Sequence, residues 1–141
     1  MNLARYLDQV AGRDCGYGVL DCAIFVADWL MQCGWPDPMP DRRGTYATER
    51  DYRAAIRSEG GLVASCRRRF ARIGLGEVVA PHEGDVAVAL APFAPRRGKA
   101  PLRLPTGCIV LGGATVALLD WPRGIVGADL QILAAWGHCR G

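Results

Sequence analysis

Histidine and lysine are almost absent from this 141-residue chain: His82 and His138 are its two histidines, and Lys99 is its only lysine. That scarcity narrows any search for an imidazole base to two positions. Basic charge rests on arginine instead, alongside abundant alanine and glycine, a composition that matches GC-rich coding rather than a phosphate-binding signature. The net charge of +3 is too small to argue for nucleic acid. None of the six cysteines forms a Cys-x-x-Cys pair, and their gaps fit no common zinc pattern. No glycine-rich run has the spacing of a phosphate cradle. Neither a metal nor a cofactor is therefore expected. No apolar stretch approaches the roughly 20 residues of a membrane span, and Met1 to Val10 lacks the apolar core of a signal peptide. The chain is expected to be cytoplasmic when made, with reduced cysteines.

What is present is half hydrophobic and long enough for one domain, residues 1–141, with a real core. Leu3, Leu7 and Val10 recur at helical spacing. A second helix is expected from Cys22 to about Gln32, apolar nearly all round and hence central, with Phe25 and Trp29 as anchors and Gly34 ending it. Thr48 to Ser58 reads as a third helix, with Thr48 and Asp51 in a capping arrangement and Tyr52, Ala55 and Ile56 inward. Gly60-Gly61 separates it from a fourth, Leu62 to Ile73, on which Arg67, Arg68 and Arg69 are expected in solvent.

The second half changes to strand patterns. Glu77 to Val79, Val86 to Leu90, Gly107 to Leu111, Thr115 to Leu119, Gly124 to Leu130 and the region of Ala134 to Trp136 are the candidates, and Gly112-Gly113 marks a hairpin. Ala91 to Pro105 reads as an irregular exposed loop, whose Arg96, Arg97, Lys99 and Arg103 could meet an acidic partner or simply be solvated. Helices followed by an antiparallel sheet predict an α+β fold. Cys33, Cys66, Cys108 and Cys139 read as small buried residues, while Cys15 is close enough to Cys22 in sequence for a redox pair.

The local feature with chemical content is Asp21-Cys22. Asp21 is an N-cap type, so Cys22 falls in the first helical turn, where the helix dipole favours a thiolate, the nucleophilic form. Nucleophilic use of that thiol needs a base.

Tyr17-Gly18, Asp21-Cys22 with Phe25-Val26, Gly84-Asp85-Val86 and Gly107-Cys108-Ile109-Val110-Leu111-Gly112 together resemble the NlpC-like branch of papain-like cell-wall peptidases. With Ala27-Asp28-Trp29, Gly60-Gly61-Leu62 and Ala135-Trp136 in order, the chain is more similar to a small branch among tail-region proteins of phages, prophages and gene transfer agents. The resemblance implies a papain-like (NlpC-type) domain: N-terminal helices, with a central cysteine-bearing helix packed on a C-terminal antiparallel β-sheet. It also implies Cys22 as the nucleophile. Two departures stand out. The family's catalytic His position is Thr106 here, and Ala23-Ile24 replaces the Ser-Gly that follows the nucleophile.

Three readings follow. One is a tail-associated structural or adaptor protein with lost chemistry, whose partners are other tail and baseplate proteins. The second is a tail-delivered cysteine hydrolase acting on peptidoglycan amides; Cys22 attacks, its backbone N–H and the Tyr17 hydroxyl support the oxyanion, and His138 or His82 supplies the base. His138 is the better placed of the two, near the end of a strand. The third is an unrelated α+β binding module. None requires nucleic acid or a membrane span.

Overall fold

Helices come first and strands follow in the computed structural model, which describes residues 2–93 and 102–137. His138, Cys139, Arg96, Arg97 and Lys99 lie outside the described residues. Helix α1 (Leu3–Ala11) starts at Asn2, whose side chain accepts from the Arg5 N–H, and buries Leu3, Tyr6 and Val10. Helix α2 (Cys22–Gln32) is buried almost all round, with Phe25 and Leu30 fully enclosed. Cys33 and then Gly34, at φ +95°, end it. Helix α3 (Glu49–Ser58) is capped by Thr48, as its sequence predicts, and α4 (Leu62–Arg72) follows the Gly60-Gly61 turn.

The strands are β1 (Gly76–Val78), β2 (Val86–Phe93), β3 (Leu102–Gly112), β4 (Thr115–Leu119), β5 (Ile125–Asp129) and β6 (Gln131–Gly137). They form one sheet in the order β1-β6-β2-β3-β4-β5, every pair antiparallel. The chain is therefore α+β. Two apolar clusters follow from side-chain alternation across the sheet. One joins α1, α2 and α4 to Val86, Val88, Ile109 and Trp136. The other contains strand residues alone, chiefly Ala87, Ala89, Cys108, Val110 and Val116. Its small side chains suit a face that strands must bury without a helix layer.

The family-like motifs mostly hold this frame together. Trp29 donates its indole N–H to the Gly84 carbonyl at 2.8 Å, joining α2 to the start of β2. Asp85 is buried and accepts from the His82 backbone N–H at 2.8 Å. Trp136 meets Phe70 of α4 edge-on, with ring centres 5.0 Å apart.

Four expectations are corrected. Ala91 to Pro105 is not loop throughout: Ala91–Phe93 extends β2, and β3 begins at Leu102. Pro92 is tolerated because β6 pairs with β2 only as far as Leu90, so no hydrogen-bond ladder needs an N–H there. Arg69 is buried rather than solvated, because Asp41 and Glu59 neutralise it from both sides. Cys33 is half-buried at its helix end, unlike Cys66 and Cys108. None of the five described cysteines is in a disulfide, so Cys15 and Cys22 are not paired.

Candidate functional site

The start of α2 is set by Asp21, which is 1% exposed and uses both carboxylate oxygens. Oδ1 accepts from the N–H groups of Ala23 at 3.1 Å and Ile24 at 3.0 Å. Oδ2 accepts from the Gly18 N–H at 2.9 Å and the Tyr46 hydroxyl at 3.1 Å. Gly18 sits at φ +83°, and a Cβ there would lie 2.1 Å from the Tyr46 carbonyl oxygen. No other residue fits that turn. On the opposite side, β3 presses on the helix start. A Cβ on Gly107 would lie 2.5 Å from the Cys22 carbonyl oxygen. Two glycines and one carboxylate thus fix where the Cys22 side chain emerges.

That side chain faces a cleft of about 650 Å³. The cleft takes Tyr17 from the turn before α2, Tyr52 and Arg53 from α3, and Thr106 from β3. Leu118, Val126 and Leu130 give it an apolar wall, and Asp120 and Trp121 stand where the chain leaves β4. The Cys22 Sγ and the Tyr52 hydroxyl are 2.9 Å apart. Aromatic rings continue the line: Tyr52 lies 5.4 Å from Tyr46 and 5.4 Å from Tyr17, and Tyr17 stacks on Trp121 at 4.6 Å.

The electrostatics run against the thiolate that the helix position predicts. Burial and the adjacent Asp21 carboxylate push the Cys22 thiol up. Hydrogen bonds from Tyr52 and the Gly107 backbone, and the charge of Arg42, oppose this without cancelling it. The cap that creates the helix start also places an anion beside the sulfur. Burial, aided by Glu49, pushes the Tyr17 hydroxyl up to about 12, so it remains a neutral phenol.

Behind the site lies a second polar cluster. Arg42, 3% exposed, donates to Glu59 at 2.5 Å and to Ser65 at 3.0 Å. Arg69 donates to Asp41 at 2.6 and 2.9 Å and to Glu59 at 2.5 Å. Ser65 also donates to Glu59. Burial pushes the Glu59 carboxyl up, but its bonds from Arg69, Ser65 and Arg42 outweigh this and hold it at about 2.

Of the expected site residues, Cys22, Tyr17 and Thr106 come together on the cleft. The hydroxyl that meets the sulfur belongs to Tyr52, not Tyr17. His82 is exposed in the turn before β2 and does not line the cleft. Thr106 donates its hydroxyl to the Leu104 carbonyl at 3.0 Å. No histidine is among the described residues of the cleft. No group of three or more His, Cys, Asp or Glu among the described residues could hold a metal. From sequence, Tyr52 reads only as an inward residue of α3, and nothing local points to Asp120 or Trp121. All of these reach the site through tertiary contacts that no local motif announces.

The family model of the DUF6950 domain, described as a domain of unknown function, matches residues 1–137. The chain belongs to the DUF6950 family. No curated protein and no solved structure matches it. The DUF6950 match spans every described element, from α1 to β6. No described helix is long and apolar enough to cross a membrane.

Proposed function

We propose that this chain is a papain-like domain of the NlpC type that binds at its Cys22 cleft instead of cutting there. Its role is structural or adaptor, in the tail region of a phage-like particle. The observation that carries this reading is what surrounds the sulfur. Cys22 meets a tyrosine hydroxyl, no histidine is among the described residues of its cleft, and by sequence alone Thr106 aligns with the histidine of the resembling family. A threonine hydroxyl bonded to a carbonyl cannot relay the thiol proton. The central helix start, the sheet behind it and the close approach at Gly107 support common architecture, and fold alone assigns no reaction.

One observation favours the hydrolase as a second reading: Cys22 opens on a cleft large enough for a substrate. Incubation with purified peptidoglycan separates the two. The binding reading expects no new amino or carboxyl ends above a Cys22→Ala control. Turnover that disappears in Cys22→Ala would establish the hydrolase instead. Mass spectrometry of purified tail particles tests the location: the chain is expected in fixed stoichiometry, and its absence would refute the tail assignment.

A further inference from the structure

We propose that the free edge of β3 beside Cys22 docks an extended polypeptide that carries both aliphatic and basic side chains. This rests on the reading that the cleft binds. Strand β3 pairs with β2 from Leu102 to Ile109, but with β4 only from Ile109 to Gly112. Among the described residues, Leu102 to Thr106 therefore has a partner strand on one side only.

The direction of the unpaired groups follows from alternation. Val110 turns its N–H and C=O toward the start of β2, where they meet Asp85 at 2.8 Å and Gly84 at 2.9 Å. The β2–β3 register holds without a bulge from there to Leu102. Backbone groups of Arg103, Pro105 and Gly107 accordingly point the other way. Gly107 faces Cys22. The rest of the edge presents the N–H and C=O of Arg103 and the C=O of Pro105. A row of such groups is matched by another extended backbone, the basis of strand addition.

Side-chain chemistry narrows the occupant. Leu104, Pro105 and Thr106 line the same cleft as Leu118, Val126 and Leu130, which would take aliphatic side chains. Asp120 and Trp121 border that cleft where β4 stops. Asp120 is exposed and forms no ion pair among the described residues. Trp121 is 43% exposed, with Tyr17 stacked against it. A carboxylate next to an open indole face suits a cationic side chain. The other lining carboxylate, Glu49, is already paired with Arg53 at 2.7 Å.

The test titrates the full chain with the blocked peptide Ac-Gly-Leu-Lys-Leu-Lys-Gly-NH2 and with its Glu-for-Lys counterpart. The lysine peptide is expected to bind about tenfold more tightly, and Asp120→Asn to remove most of that preference. N-methylation of alternate residues adds a readout specific to backbone pairing. Methyl groups in one phase should abolish binding, and in the other phase leave it intact. Equal binding of both peptides, equal effects of both methylation phases, or no saturation would overturn the proposal. The outcome for the binding reading is read separately, by mass spectrometry of the peptide. Bound peptide that is cut in a Cys22-dependent way keeps the docking site and rejects the non-cutting role. No binding together with uncut peptidoglycan rejects the docking site alone.

Discussion

Asp21 and Cys22 are neighbours at one helix start, yet Asp21 is buried with four hydrogen bonds while Cys22 meets the Tyr52 hydroxyl, the Gly107 backbone and an open cleft. The same contrast holds for the regions on either side of them. Behind α2, Arg42, Glu59, Ser65, Arg69 and Asp41 are tied to one another by hydrogen bonds, with only Nε and Nη1 of Arg42 left unpartnered among the described residues. In front, Thr106, Asp120 and Trp121 line open space. Polar groups that satisfy one another maintain shape, whereas polar groups left facing a cleft are available for recognition. Substitutions behind the helix should therefore cost stability, and those in front should cost binding.

The largest stability losses are expected behind. Glu59→Ala leaves the buried Arg42 without its carboxylate and removes one of the two carboxylates on Arg69, and should cost about 3–5 kcal/mol in urea melts. Phe25→Ala, at the centre of α2, should cost about as much, 3–5 kcal/mol, and a loss below about 1 kcal/mol would mean that the helix is peripheral. Gly107→Ala forces a methyl group against the Cys22 carbonyl and should cost about 1–3 kcal/mol. In front, Asp120→Asn should stay within about 0.5 kcal/mol while changing peptide preference. A large stability loss there, or a negligible one at Glu59, would erase the distinction between the two regions.

Acid should reach the rear network as well. Glu59 and Asp41 are both held at about 2, below the roughly 4 of an unfolded carboxyl. For Asp41 the hydrogen bonds from Arg69 are the main cause. Each folded value lies below the unfolded one, so this stabilisation is complete above pH 4–5 and is lost as pH falls toward 2. Denaturant midpoints measured from pH 6 to pH 2 should drop over that window, and less so in Glu59→Gln.

Much of the frame was legible in the sequence because it is local. The Asp21 and Thr48 caps, the apolar α2 and the Gly112-Gly113 hairpin each declare themselves within a few residues. The site was legible only in part. Cys22 and Tyr17 could be named, but Tyr52 reaches the sulfur from 30 positions away. Arg69 looked solvated within its arginine triplet because its acidic partners lie 10 and 28 positions off. The unpaired edge of β3 depends on where β4 ends, which is a property of the whole sheet.

The central claim is that Cys22 is a neutral thiol in a binding cleft, and the pH profile of its alkylation by iodoacetamide tests it most directly, with each cysteine followed by mass spectrometry. The account predicts that Cys22 reacts at pH 7 no faster than a model thiol, and that its rate still climbs beyond about pH 8.5. Selective labelling of Cys22 with a plateau below pH 7 would contradict it and mark an activated nucleophile.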